Sequence, residues 1–240
     1  ICYNRAISLK TDFFEAYSNL GITLGKLGRP EDSIICFRQA ISIKPGFREA
    51  CNNLGVALKE LGELGEAEET FRRIIGLTPN FARAHNDLGS VLKEQGRLKE
   101  AETSCRKAIA IDSNYSNAFF NLGDILLQLG KLGEAELNFK KTIKLNFNYT
   151  NAYISLGATL SRLDRFDEAV TNLRQAIAFE PSNISAHLNL GATLQCQGKF
   201  EEAKASYIKV IVERPDSSYG YINLSALYKE IGYLEKAEEN

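Results

Sequence analysis

Glycine recurs at Gly21, Gly55, Gly89, Gly123, Gly157 and Gly191, every 34 residues, without one insertion or deletion. A fixed period of this length means that one supersecondary unit is built again and again, each copy burying its apolar face against its neighbours. Leucine precedes every one of these glycines, at Leu20, Leu54, Leu88, Leu122, Leu156 and Leu190, and Leu224 continues the row before Ser225. Four residues on stand Leu24, Leu58, Leu92, Leu126, Leu160, Leu194 and Tyr228. Apolar side chains three and four apart share one face of an α-helix, here the first helix of each unit. Counted from Phe14, full repeats cover 14–47, 48–81, 82–115, 116–149, 150–183 and 184–217. A partial repeat at 1–13, second helix only, precedes them, and another at 218–240 follows.

A second glycine series, Gly28, Gly62, Gly96, Gly130, Gly198 and Gly232, falls seven residues after the first. Glycine closes a helix in the left-handed conformation without a Cβ clash, so the first helix is expected to end there. Asp164 stands in this row in the fifth repeat and is expected to make a looser turn. The second helix begins next, with Pro30 suited to its first turn and Glu66, Glu100, Glu134, Glu168 and Glu202 near its positive end. Pro45, Pro79, Pro181 and Pro215 end it; Ser113 and Phe147 take that place in two repeats and leave those ends less defined.

Six glycines inside helices oppose folding by about 6 kcal/mol relative to alanine, so close packing must offset them. The second helix carries small residues on the same period, Ser33, Ala67, Ala101, Ala135, Ala169, Ala203 and Ala237, which implies two backbones in close approach. Phe37, Phe71, Cys105, Phe139, Leu173 and Tyr207, four residues later, are expected to fill the space beside that contact.

In the first repeat Tyr17, Leu20, Gly21, Leu24, Ser33, Phe37, Ala40 and Pro45 follow the order of the tetratricopeptide repeat motif, and the chain resembles that family over its whole length. Tyr153, Leu156, Gly157, Leu160, Ala169, Leu173, Ala176 and Pro181 repeat the pattern; Ile74, Thr142 and Val210 depart from its second alanine. The resemblance implies an all-α fold, an α-α solenoid wound as a right-handed superhelix of six full and two partial repeats, forming a single continuous array. It also implies that first helices line a concave groove that takes ligands.

With 29 basic and 30 acidic side chains the net charge is −1, which gives no electrostatic footprint for nucleic acid or anionic lipid. The chain shows no apolar run long enough to span a bilayer and no targeting segment, so membrane partners are not expected. Five cysteines lack metal-site or disulfide spacing, consistent with a reducing, cytoplasmic setting; no metal and no cofactor are expected. The chain opens inside a second helix and stops inside another, without polar capping helices and without methionine. It therefore reads as an excerpt of a longer protein, with end-to-end self-association expected at uncapped termini.

Two rows on the first helix are candidate ligand contacts. One is a ladder of side-chain amides, Asn19, Asn53, Asp87, Asn121, Ser155, Asn189 and Asn223, suited to hydrogen-bonding an extended peptide backbone. The residue before each gives Ser18, Asn52, Asn86, Phe120, Ile154, Leu188 and Ile222, a change from polar to apolar along the groove. Beside the apolar part, Ala158, Ala192 and Ala226 leave room for a bulky guest. Packing against the next repeat is the competing explanation for this second row. A cationic clamp for a chain terminus is not expected, because Glu15, Glu49, Arg83, Asn117, Asn151, Ser185 and Tyr219 form no basic cluster, although Arg83, Lys59 and Lys93 could meet one carboxylate.

No catalytic residue is assigned. His85 and His187 occupy the bulky place held by Tyr17, Tyr153 and Tyr221, as packing residues. Cys51 and Cys105 replace core residues, Cys2 and Cys36 lie 34 apart on second helices, and Cys196 falls near the groove with no histidine in register. The expected function is a non-catalytic scaffold that binds a protein or peptide segment in the groove. The alternative is the substrate-recruiting arm of a larger enzyme, because the Asn-Leu-Gly signature resembles the repeats of O-linked N-acetylglucosamine transferases.

Overall fold

The computed structural model of the chain describes residues 2–238, and their side chains except at positions 2, 4 and 233–238. The expectations placed on the Cys2 and Ala237 side chains lie outside the described residues. Among the described residues there are fourteen α-helices and no strand. The first helices are α2 (Phe14–Lys26), α4 (Arg48–Glu60), α6 (Ala82–Glu94), α8 (Ser116–Gln128), α10 (Thr150–Ser161), α12 (Ile184–Cys196) and α14 (Ser218–Glu238). The second helices are α1 (Cys2–Leu9), α3 (Pro30–Ile43), α5 (Leu64–Leu77), α7 (Leu98–Ile111), α9 (Leu132–Leu145), α11 (Phe166–Phe179) and α13 (Phe200–Glu213).

The helices divide between two compact units, 1–125 and 126–240. In the first unit α2 packs on α3, α4 on α5 and α6 on α7, and α3 meets α4 as α5 meets α6. In the second unit α10 packs on α11 and α12 on α13, with α9 against α10, α11 against α12 and α13 against α14. Leu54, Leu58, Phe71, Ile74, Leu88 and Leu92 are buried in the first core. Ile154, Leu173, Leu190, Leu194, Tyr207 and Leu227 are buried in the second.

The turn after each first helix follows one design. Gly28, Gly62, Gly96, Gly130 and Gly198 have φ between 71 and 87°, and the next residue's N–H reaches back five residues, as from Arg29 to the Leu24 carbonyl at 3.0 Å. Asp164 corrects the expectation of a looser turn: it takes φ 57° itself, and Arg165 N–H bonds the Leu160 carbonyl at the same 3.0 Å. A short polar side chain tolerates the left-handed state better than other L-residues, so the turn keeps its shape and the residue carries the strain. Gly232 departs the other way, because α14 runs through it to Glu238. Glycine permits a left-handed turn without requiring one.

The second helices end as uniformly. α7 and α9, followed by Ser113 and Phe147 where other repeats have proline, have the same 14 residues as α3, and each closes with the next N–H bonded four residues back. Proline at that place is therefore compatible with the stop and not its cause.

The helix-interior glycines are explained by the large residue of the partner helix. A Cβ on Gly21 would lie 2.7 Å from Cε1 of Phe37, on Gly55 2.6 Å from Cζ of Phe71, and on Gly191 2.5 Å from Cε1 of Tyr207. The space is thus occupied by the ring itself, which corrects the expectation that the ring fills space beside a backbone contact. The small partner adds one bond, from Ser33 Oγ to the Gly21 carbonyl at 2.7 Å.

Candidate functional site

Within the first unit the backbones of α2 and α4 and of α4 and α6 come into contact, whereas those of α3, α5 and α7 stay apart and are bridged by long side chains, Arg38 to Glu66 at 2.6 Å and Arg72 to Glu100 at 3.6 Å. In the second unit the backbones of α10 and α12 and of α12 and α14 come into contact, whereas those of α11 and α13 stay apart and are bridged by Arg174 and Glu202 at 2.8 Å. Helices close together on one side and splayed on the other form a wedge, so in each unit the first helices line the inner side of the curve.

Successive helix positions point about 100° apart, and this decides which candidate row is accessible. Ser18, Asn52 and Asn86 are buried, and so is Ile154, which is 8% exposed and belongs to the core of its unit. Phe120 is half-buried, and Leu188 is half-buried with one side against that core. This row faces the following first helix, so Asn52, Asn86 and Ile154 are joints between repeats and not open contact surface. Ile222 is exposed on α14. The ladder row lies further round: Asn19 is exposed, and Asn53, Asp87, Asn121, Ser155, Asn189 and Asn223 are half-buried.

In the first unit the two rows bond to each other across repeats. Asn52 Nδ2 donates to Asp87 Oδ2 at 3.0 Å, Asn86 Nδ2 to Asp87 Oδ1 at 3.0 Å, and Asn121 Nδ2 to Asn86 Oδ1 at 2.9 Å. The 35-residue separation of Asn52 from Asp87 and of Asn86 from Asn121 shows the register, one row of each repeat meeting the other row of the next. Asn52 is 1% exposed and its Oδ1 has no partner. The bases that could have met a ligand carboxylate are already compensated: Arg83 Nε lies 3.6 Å from Asp87, Lys59 Nζ lies 3.5 Å from Glu94 and 3.1 Å from Ser90 Oγ, and Lys93 pairs with Asp124. Asn19 and Asn53 are different, since neither side-chain amide has a hydrogen-bond partner among the described residues. Asn53 borders a cavity of about 370 Å³ between α2 and α4, lined also by Ile22, Gly25, Val56 and Glu60. Gly25 stands where the next two repeats carry Lys59 and Lys93, and the missing side chain opens this space.

In the second unit the ladder amides turn back on their own helices, Asn189 Nδ2 to the Ser185 carbonyl at 2.9 Å and Asn223 Nδ2 to the Tyr219 carbonyl at 2.8 Å. Ser161 and Thr193 hydroxyls bond at 2.7 Å across repeats. Asn151, Ser185 and Tyr219 form an exposed, uncharged row near the start of the first helices, and Ala192 and Ala226 are exposed nearby. A cavity of about 490 Å³ opens there, lined by Asn183, Ile184, Ser185, Leu188, Arg214, Ser217 and Tyr219.

The histidines are structural. His85 Nε2 lies 2.8 Å from the Pro79 carbonyl and His187 Nε2 2.8 Å from the Pro181 carbonyl. A carbonyl only accepts, so Nε2 carries the proton in both and each ring fastens a first helix to the stop of the helix before it. Cys51 points its thiol at the Pro45 carbonyl in the same register, 3.9 Å away. Burial pushes the Cys105 thiol up to about 12, which removes any nucleophilic thiolate there. Cys196 is exposed. No group of histidine, cysteine and acidic residues suited to a metal occurs among the described residues. Nor is any helix among them long and apolar enough to cross a membrane.

Sequence inspection missed one row, Ala16, Ala50, Ala84, Ala118, Ala152 and Ala186, all buried. Gly220 continues it, and a Cβ there would lie 2.7 Å from Ile211. Alanine on the period of the leucines was the available signal; at Gly220 the same place packs against α13, the preceding second helix.

Helical hairpins on one period, each fitting a partner side chain onto a glycine, define a helical-hairpin repeat protein with an open inner face. Tetratricopeptide repeat models match residues 14–47, 49–81, 80–146, 162–198 and 185–213, and the chain belongs to that family. No curated protein matches the chain significantly. Among solved structures it is similar to a chain of the APC/C hetero-tetramer Cut9–Hcn1, with TM-score 0.85 and 14% identity over 94% of this chain and 45% of that one. The chain thus spans less than half the length of that relative. It is also similar to PilF of Pseudomonas aeruginosa, with TM-score 0.78 and 24% identity over 90% of this chain and 97% of that one. For the TPR protein YrrB the TM-score is 0.61, with 24% identity over 77% of this chain and 95% of that one. At these identities the likeness concerns the fold.

Proposed function

We propose that the chain is a non-catalytic interaction scaffold that binds an extended partner segment along the first-helix face, as the ladder row of amides was expected to do. The observation that carries this is the pair of unpartnered amides of Asn19 and Asn53 on successive first helices, with Asn53 bordering the cavity beside Gly25. Each amide offers a donor and an acceptor that match a peptide unit, and the cavity beside Asn53 takes a side chain of the bound segment. Asp87, Asn121, Asn52 and Asn86 serve the same face by holding successive first helices in register. In the second unit Ser155, Asn189 and Asn223 lie on the equivalent row, with Ala192 and Ala226 leaving room above it. Both histidines are tied to backbone, and the buried Cys105 thiol stays protonated, which favours binding over catalysis. YrrB, described as having an unusual peptide-binding site, and Cut9, found in a complex with Hcn1, support a partner-binding role.

Capture on an immobilised peptide array tests it, comparing the wild type with Asn19→Ala/Asn53→Ala and with Gly25→Leu, which fills the cavity. Loss of about tenfold in affinity in either variant at unchanged helicity is expected, the size of one or two lost hydrogen bonds. Unchanged capture by both variants overturns the assignment.

A further inference from the structure

In the second unit Arg214 borders a cavity as a cation without an ion pair among the described residues, as Lys26 does at the cavity of the first unit. Arg83, Lys59 and Lys93 are each compensated by a carboxylate within the repeats. Arg214 lines the 490 Å³ space and makes no ion pair among the described residues. Its acidic neighbours do not neutralise it: Glu213 is 2.7 Å from Lys209, and Asp216, two residues on, forms no ion pair with it. Ser185, Ser217 and Tyr219 border the same space, and their hydroxyls likewise make no hydrogen bond among the described residues. Leu188, Ile184 and the Tyr219 ring provide apolar walls. Ser217, just before α14, and Tyr219, in its first turn, lie on the rim, and the positive end of a 21-residue helix favours an anion there. An unpaired guanidinium, hydroxyl donors and an apolar wall around one space of ligand size form a site for a carboxylate next to an apolar side chain.

We infer that Arg214 is the specificity-determining cation of this face and selects partner segments with an Asp or Glu side chain next to an apolar residue. This rests on the proposal that the first-helix face takes an extended segment. An internal acidic residue is favoured over a chain terminus by the surroundings. Asn151, Ser185 and Tyr219 form an uncharged row running past the cavity. A segment lying along that row meets a charge at one point, with uncharged contacts continuing beyond it.

The test uses fluorescent, C-terminally amidated nonapeptide pools, apolar and small residues at eight positions and Glu at the centre, with a matched pool carrying Gln at the centre. A third pool has the Gln centre and a free C-terminal carboxylate. For the wild type, capture of the Glu pool is expected to exceed that of the Gln pool by about tenfold, the value of one charge-assisted bidentate contact. Arg214→Gln is expected to abolish the difference while leaving Gln-pool capture and the thermal unfolding midpoint unchanged, and Asp216→Asn to widen it. Equal capture of Glu and Gln pools by the wild type, or a preference that survives Arg214→Gln, overturns the inference. A preference for the free-carboxylate pool also overturns it, in favour of a terminus. If the Gln pool binds and Tyr219→Ala reduces its capture while the Glu preference is absent, the extended-segment proposal stands and this inference alone fails. If none of the pools binds, both fail.

Discussion

Gly55→Ala is expected to destabilise the chain although alanine is the better helix former. The added Cβ would lie 2.6 Å from Cζ and 2.8 Å from Cε1 of Phe71, well inside ordinary contact, and the ring is fully buried and cannot step aside. Overpacking of this kind costs about 1–3 kcal/mol. The gain in helix propensity offsets about 1 kcal/mol, leaving a net loss of about 1 kcal/mol at the middle of the range. Phe71→Ala alone removes the ring and costs about 3–5 kcal/mol. In that background the clash is gone, so Gly55→Ala is expected to stabilise by about 1 kcal/mol, a reversal of sign. The coupling between the two sites is then about 1–3 kcal/mol in a double-mutant cycle. Urea unfolding followed by circular dichroism measures all four variants, with the midpoint moving at constant slope. The reasoning is refuted if Gly55→Ala stabilises the wild type, or if its effect is the same with and without Phe71. Gly25→Ala is the internal control: its Cβ would lie 3.5 Å from Ser33 Oγ, an ordinary contact, so propensity decides and the variant is expected to be more stable.

Acid should unfold the chain partly through two arginine clamps. Arg97 holds Glu100 and reaches Glu68 of the preceding repeat at 2.7 Å; Arg165 holds Glu168 and reaches Glu136 at 2.8 Å. Hydrogen bonds from Arg97 and Arg165 hold Glu100 and Glu168 below the usual carboxylate range, and Lys140 and then Arg165 do so for Glu136. For Glu68 burial pushes upward, but bonds from Arg72, Gln95 and Arg97 outweigh it. Depressed carboxyls contribute stability that is full above about pH 4.3 and is lost as pH falls through their folded values. Melting temperatures from pH 6 to pH 3 should therefore fall less steeply in Arg97→Gln/Arg165→Gln than in the wild type; equal slopes would refute the clamps. Asp164→Ala is expected to cost about 1 kcal/mol, because alanine lacks the polar side chain that eases φ 57°, and Asp164→Gly to stabilise by a few tenths, both read from thermal melts. Thiol labelling at pH 8 with peptide mapping should modify exposed Cys196 well before Cys105, whose buried thiol reacts only on unfolding; equal rates would refute that assignment.

Much of the fold was legible in residue spacing because each helix obeys a local rule. The glycine after most first helices, the leucines four apart and the acidic first turn of the second helices of the full repeats can be assigned without knowledge of neighbours. Asp164 was misjudged because its backbone state is imposed by the two packed helices on either side, and Gly232 because a permissive residue does not compel a turn. The side chain lying on each helix-interior glycine was misplaced for a related reason: spacing shows that two helices approach, not which atoms fill the gap. In the candidate site Asn19 and Asn53 were identified together with Asn52 and Asn86, but only the first pair keeps free amides. Arg214 drew no attention, since a lone arginine in a loop becomes notable only when its surroundings leave it uncompensated.

The sequence alone determined the repeat length, the alternation of first and second helices and the apolar face that each presents, because those follow from a 3.6-residue turn repeated on a fixed period. Tertiary structure alone decided which of two adjacent rows became joint and which became surface. Asn52 and Asn53 are neighbours in the chain with the same side chain. The helix of the next repeat covers one and passes beside the other, and that choice is made by interhelical packing that residue order does not encode locally.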